Sequence, residues 1–413
     1  MRKFISFTVL LTLLSINVSA QTTANSEELE TLNDIPENMI WSIDSLLNDW
    51  KTKQYINLSS DCITAESNPY YPDSVYIERL ARIPSIIELP YNDVIRRFID
   101  VYATKLRNQV SIMLSTSNFY MPIFEQALDA HGLPNELKYI PIVESALNPT
   151  VTSRAGASGL WQFMLGTGKA YGLESNSLVD ERRDPVKSSW AAAKYFKDLY
   201  NIYNDWSLAI AAYNCGPGNV NKAIRRAGGA TDFWTIYYHL PRETRGYIPA
   251  FIAANYIMTY YCEHAICPVG GILPNVTDTV HISKDIHFEQ ISALCNLQVD
   301  ELRSLNPQYK HDIIPGNSKA YTLRLPQEAI GTYIDLQDSI YNYNRDNLFS
   351  KRKIAAIKAA TYPTKGTITY KIKSGDTLSG IAAKFKVRVS DIRSWNGIKG
   401  NNITAGKTLR IIK

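Results

Sequence analysis

The sequence predicts a mainly α protein followed by small βααβ modules. Two observations carry this expectation. Apolar residues recur at offsets of three and four from about residue 35 to 130, as in Val94, Phe98 and Val101 with Ile95 and Ile99 beside them, and helical segments continue to residue 261. Near the C-terminus the pattern changes to an alternating strand, two short amphipathic helices and a closing strand, and this unit occurs twice.

Along the chain, residues 1–20 (MRKFISFTVLLTLLSINVSA) open on Arg2 and Lys3, run apolar from Phe4 to Leu14 and close on Val18, Ser19 and Ala20. This reads as a secretory signal cut before Gln21, with an apolar run short of the ~20 residues that span a bilayer. No other segment is apolar and long enough to span, and no cysteine follows the cleavage point to take a lipid. The expectation is therefore a soluble protein of the periplasm or cell envelope. With 413 residues, 45% of them hydrophobic, the chain can bury a sizeable core and divides into several domains. The expected division is 1–20 signal peptide, 21–115 N-terminal helical region, 116–265 main helical domain, 278–326 first module, 327–366 linker and 367–413 second module.

Cys62, Cys215, Cys262, Cys267 and Cys295 are too few and too scattered for a disulfide framework, Cys262 and Cys267 being the closest pair. Only His264 lies between that pair, and neither CxxC nor HExxH spacing occurs, so no metal and no cofactor is expected. The formal net charge is +5, yet residues 351–413 hold fifteen Lys and Arg against Asp376 and Asp391 alone. A tail so charged suits an anionic polymer. The export signal places a cell-wall polymer ahead of nucleic acid, which is not expected as a partner.

The stretch "PIVESALNP", residues 141–149, leaves one carboxylate among apolar neighbours. The preceding "GLPNELKYI" predicts a helix opening at Pro134 and Asn135, with Leu137, Ile140 and Val143 on a buried stripe, Glu144 beside it and Pro149 beyond the end. A buried structural Glu paired with Arg is one reading, a desolvated acid the other. Four segments favour the second: "SRAGASGLWQFM" (153–164), "DERRDP" (180–185), "WSLAIAAYNCGPGNV" (206–220) and "LPRETRGYIPAFIAANYIMTYY" (240–261). Small-residue loops, amides and tyrosines suit a groove in which aromatic faces stack on sugar rings and amides bond to hydroxyl and acetamido groups. Glu174, Asp180, Glu181 and Asp184 read as a charged surface turn with Arg182 and Arg183 as internal partners.

Glu144-Ser145, GLWQFM, AAYNCGPG and ETRGYIPAF, in this order over roughly residues 85–265, resemble the lysozyme-like soluble lytic transglycosylases, most closely the membrane-bound lytic murein transglycosylase D group. The resemblance implies a lysozyme-like helical fold that cleaves the β-1,4 bond between N-acetylmuramic acid and N-acetylglucosamine and forms 1,6-anhydromuramic acid. It implies Glu144 as the catalytic acid/base. Ser145, Gly159, Gln162, Tyr213, Asn214 and Tyr247 would bind substrate. Other readings are a goose-type lysozyme-like hydrolase on the same fold and a non-catalytic peptidoglycan-binding protein. The expected partner is the peptidoglycan glycan strand, met by a monomer.

Residues 368–412, with "YKIKSGDTLSGIAAKFKV" and "IRSWNG", resemble the LysM module, a βααβ unit that binds glycans containing N-acetylglucosamine. Gly375, Asp376, Thr377 and Leu378 would touch the glycan. Ninety residues earlier, Phe288, Ile291, Ser292 and Cys295 match Leu378, Ile381, Ala382 and Phe385, and "VDELRSLN" matches "VSDIRSWN". This predicts a degenerate LysM-like module at about 278–326, with "SKDIH" in place of "SGDTL", acting as a spacer.

Overall fold

The computed structural model describes residues 67–413 apart from 271, 272, 275, 351–366, 386, 397, 399, 401 and 413. The signal segment, most of the basic stretch after 350 and Gly397 lie outside the described residues. No described helix is long and apolar enough to cross a membrane.

The chain divides into two compact units, residues 1–337 and 338–413. Among the described residues of the first, ten α-helices precede the strands: α1 (Asp73–Arg82), α2 (Asp93–Ala103), α3 (Arg107–Asp129), α4 (Ile140–Ser145), α5 (Leu165–Ala170), α6 (Pro185–Tyr203), α7 (Trp206–Cys215), α8 (Pro217–Arg226), α9 (Phe233–Ile236) and α10 (Arg242–Thr259). Local chemistry sets their ends. Asn92 caps α2 by accepting from Ile95 N, Asp205 caps α7 by accepting from Leu208 N, and Asp184 caps α6 ahead of Pro185 in the first turn. Between α7 and α8, Gly216 holds φ at 82° and Pro217 starts the next helix.

One apolar core runs from Tyr76 to Ile266, with α10 buried along nearly its whole length against α2, α4 and α7. The expected boundary at 115/116 falls inside α3, and residues on both sides of it belong to this core. Arg107, at the start of α3, donates to the carbonyls of His264 and Ala265 at 3.0 and 2.8 Å, which ties the N-terminal helices to the far end of the domain. Pro122, expected to interrupt the helical run, sits inside α3. Pro122 and Asn118, whose carbonyl cannot take the usual N–H from position 122, are both exposed, so water can serve there.

The first βααβ module is present. β1 (Thr277–Ile282) pairs antiparallel with β4 (Tyr321–Pro326), Val280 opposite Leu323 and Ile282 opposite Tyr321. Between them lie a short antiparallel pair, β2 (Asp285–His287) with β3 (Ile313–Pro315), and, between those two strands, helices α11 (Phe288–Cys295) and α12 (Val299–Leu305). Phe288, Ile291, Leu302 and Leu323 are each fully buried, as their spacing requires.

The expected linker at 327–366 begins as helix: α13 (Gln327–Asp335), α14 (Gln337–Asn342) and α15 (Arg345–Leu348), which bury Ala329, Tyr333, Ile340, Tyr341 and Leu348. Apolar residues at helical spacing within a polar stretch are the reason. The second unit ends in the other βααβ module: β5 (Thr367–Lys371) antiparallel to β6 (Thr408–Ile412), with α16 (Leu378–Phe385) and α17 (Val389–Asn396) over a core of Ile372, Leu378, Ile381, Ile392, Leu409 and Ile411.

Candidate active site

Glu144 stands on a short helix whose start and end are both forced. Residues Asn135–Tyr139 form a 3-10 turn, and α4 follows with Pro141 in its first turn. The single helix expected here is thus two short pieces. It ends at Ser145, ahead of Pro149, because Ala146 and Leu147 adopt left-handed φ of 48° and 61°. Gln162 is also left-handed, at 46°. Non-glycine residues pay strain for this conformation, and three of them around one carboxylate mark a site held by its surroundings.

Leu137, Ile140 and Val143 are buried as predicted, and Glu144 beside them is 6% exposed. Its Oε1 accepts a hydrogen bond of 2.5 Å from Tyr247 Oη on α10. No ion pair reaches it among the described residues, which removes the arginine-paired structural reading. Burial pushes the carboxyl up to about 7 against an ordinary 4.5; the Tyr247 hydrogen bond pulls the other way, and the nearby charge of Glu243 adds to the rise. The acid is poised to be neutral or ionised near neutral pH.

The predicted site residues separate into two kinds. Tyr247 bonds the acid and Tyr213 lies close enough for the Glu144 charge to raise its hydroxyl further, while Gln162 and Asn214 are placed by bonds of their own. Tyr213 donates to Trp161 O at 2.7 Å and Asn214 Oδ1 accepts from Thr244 Oγ1 at 2.8 Å, which joins α7 to the loop and to α10. Gln162 Nε2 donates to Gly159 O at 2.8 Å, while its Oε1 is buried without a partner. Ser145 and Gly159, expected to bind substrate, are buried and bonded or packed within the protein. Ser145 Oγ donates to Pro141 O and Leu160 O, both at 2.9 Å. At Gly159, with φ of 88°, an added Cβ would come within 1.8 Å of the Arg182 carbonyl. Both residues hold the loop in place.

Residues 180–182 of the charged turn, expected on the surface, are buried, and Arg183 and Asp184 are half-buried. Asp180, Glu181 and Arg182 are 2%, 4% and 8% exposed. Arg182 pairs with Asp180 at 2.8 Å and donates to the carbonyls of Gly156 and Phe163 at 2.8 and 3.0 Å. Charge density in the sequence suggested solvent, but each charge here has a fixed partner, which is what burial of an ion demands. Glu243 and Thr244 were not singled out from the sequence, although both sit within the ETRG stretch.

In the second module, Asp376 Oδ2 accepts from Tyr370 Oη and Lys373 N at 2.9 and 2.8 Å, Gly375 takes φ of 88°, and Thr377 Oγ1 accepts from Gly380 N at 3.1 Å. Leu378, expected to touch glycan, is 3% exposed and belongs to the module's core. Gly375 and Thr377 are exposed, with Asp376 half-buried between them. Cys267 is disulfide-bonded and Cys262 is a free thiol, so the pair closest in sequence is not the bonded one.

Three family models match along this architecture: the transglycosylase SLT domain at 121–235, the lytic transglycosylase MltD LysM-like domain at 276–342 and the LysM domain at 370–411. Helical SLT fold, buried acid and following LysM-type modules together define a lytic transglycosylase with peptidoglycan-binding modules. Membrane-bound lytic murein transglycosylase D of Escherichia coli K12 is 31% identical over 337 residues, covering 78% of this chain and 70% of that protein. The chain belongs to this family. Soluble lytic murein transglycosylase of the same organism is 33% identical over 149 residues, covering 34% of this chain and 23% of that one. The crystal structure of the 70 kDa soluble lytic transglycosylase of E. coli matches 34% of this chain and 24% of its own, at 30% identity and a TM-score of 0.31.

Proposed function

We propose that Glu144 is the sole acid/base for peptidoglycan cleavage. The observation that carries this is the buried Glu144 carboxyl, pushed up to about 7, with Tyr247 Oη on one oxygen and, among the described residues, no ion pair, unlike the paired Asp180 and Glu181. Neutral Glu144 donates its proton to the oxygen linking N-acetylmuramic acid to N-acetylglucosamine, and the bond from that oxygen to C1 breaks. Ionised Glu144 then accepts the proton of the muramic C6 hydroxyl, whose oxygen closes on C1 to give the 1,6-anhydro sugar. One proton leaves the carboxyl and one returns, and no water is consumed. A two-carboxylate hydrolase needs a second acid to serve as nucleophile or to activate water. In this cycle the substrate's own hydroxyl takes that place. A group that must donate and then accept works best with a pKa near the working pH.

Tyr247 holds Oε1 as an acceptor and leaves the other oxygen to carry the proton. Gln162, Tyr213 and Asn214 bind the sugars, the buried free Oε1 of Gln162 being an acceptor for an acetamido N–H. Gly375, Asp376 and Thr377 present the second module's turn to the glycan. Export by a cleaved signal ending at Ala20 places a monomer in the periplasm or at the envelope. The activity is tested by incubating purified protein and Glu144→Gln with isolated peptidoglycan: soluble anhydromuropeptides from the first alone support the assignment, and equal release by both overturns it. N-terminal sequencing of the exported protein tests the processing, Gln21 being the expected first residue.

A further inference from the structure

The first LysM-like module is bonded to the catalytic region by backbone as well as side chains. Val179 and Tyr309 form an antiparallel bridge. Asp180 N donates to Gln308 O at 2.8 Å, and Lys310 N donates to Leu178 O at 2.7 Å. Lys310 Nζ donates to Asn176 O at 2.9 Å and lies 3.8 Å from Asp180 Oδ2. Lys319 Nζ meets Glu174 at 2.6 Å. The segment between α12 and β4 is thus spent on the 174–184 turn.

That turn in turn grips the loop next to Glu144. Asp180 accepts from Arg182 Nε and Nη2 at 2.9 and 2.8 Å. Burial alone would raise the Asp180 carboxyl, but the Arg182 guanidinium wins and holds it below the usual range. Arg182 Nη1 reaches Gly156 O and Phe163 O, the two ends of the tight loop that carries Gln162. Midway along the loop, Leu160 O accepts from Ser145, the neighbour of Glu144. Gly159 packs on the Arg182 carbonyl with no room for a side chain. A module that merely spaced the domains would need none of this continuity.

We propose that the 276–342 module is a built-in brace of the catalytic site, in which Lys310 and Arg182 are positioning residues that hold loop 156–163 in register with Glu144. The proposal rests on the reading of Glu144 as the acid/base, and it gives the module a function in catalysis in place of glycan capture. Side chains of a site must be held to within fractions of an ångström, so slackening the loop should reach the chemical step more than binding.

The test uses the full chain, a short soluble glycan as substrate and the variants Lys310→Met and Lys310→Arg. Lys310→Met should lower kcat about tenfold with KM changed less than about twofold, because positioning is lost and groove contacts are kept. Hydrogen exchange of the Ser158, Gly159 and Gln162 amides should quicken, and Lys310→Arg should recover most of the kcat. Should Lys310→Met not fold, Lys310→Gln, which keeps a donor for Asn176 O and drops the charge beside Asp180, gives the same reading. Unchanged kcat and exchange in a folded Met or Gln variant, or a lower melting temperature alone, would overturn the proposal. Wild-type protein that releases no anhydro product would overturn the reading of Glu144 and the brace with it, whereas wild-type cleavage matched by Lys310→Met removes the brace alone.

Discussion

Tyr247 Oη donates a 2.5 Å hydrogen bond to Glu144 Oε1 across 103 positions of sequence, and both side chains are closed off from solvent. This bond joins α10 to α4 at the point where the acid must be held, and it opposes the effect of burial on the carboxyl.

Tyr247→Phe keeps the ring and removes the donor. With the opposing influence gone, the Glu144 carboxyl rises further, so the alkaline limb of the pH–rate profile should move up. Loss of orientation should also lower kcat about tenfold. Steady-state kinetics on soluble glycan across pH 5–9 check both; a limb moving down would contradict the bond's direction.

Activity should fall as pH rises through about 7, since only neutral Glu144 can protonate the leaving oxygen. Above that point the decline in kcat/KM should approach about tenfold per pH unit. A profile flat to pH 9 would mean that another group supplies the proton.

Stability carries the same signature. The folded carboxyl is raised above its ordinary 4.5, so its contribution is fully present below pH 4.5 and lost as pH rises through about 7. Glu144→Gln does not titrate. It should match wild type at pH 4 and exceed it at pH 8 by on the order of 3 kcal/mol. Urea unfolding at the two pH values checks this, and equal stability at both would show that the acid is not desolvated.

Gly159→Ala combines φ of 88° with a Cβ placed 1.8 Å from the Arg182 carbonyl. Backbone must move on one side or the other, so the variant should lose about 3 kcal/mol or more of stability. Thermal unfolding measures it.

Removing residues 351–413 takes away the second βααβ unit and its basic charge. A binding module raises local concentration at a polymer without altering the chemistry. Sedimentation with isolated walls should show weaker binding, while cleavage of short soluble glycan stays at the wild-type rate.

Much of this was legible in the chain. Helical spacing located the buried stripe at Leu137, Ile140 and Val143, and the ninety-residue repeat located both βααβ units, because local periodicity survives folding unchanged. The roles of Ser145, Gly159 and the 180–184 turn were not legible. Each depends on what lies opposite in space: Leu160 O for Ser145, the Arg182 backbone for Gly159, and Lys310 with Gln308 for Asp180. A charged run reads as solvent-facing until its partners are known, and here those partners come from a module some 130 residues further along. The helices inside the expected linker were hidden for a similar reason, since a few apolar residues among polar ones give a weak period until Tyr333 and Ile340 are seen buried.

The most direct measurement is the mass of the products that the purified protein releases from isolated peptidoglycan. Fragments ending in 1,6-anhydromuramic acid, lighter by one water than the reducing sugar and absent with Glu144→Gln, are the predicted result. Reducing-end muramic acid would show that water attacks C1 and would contradict the single-acid cycle.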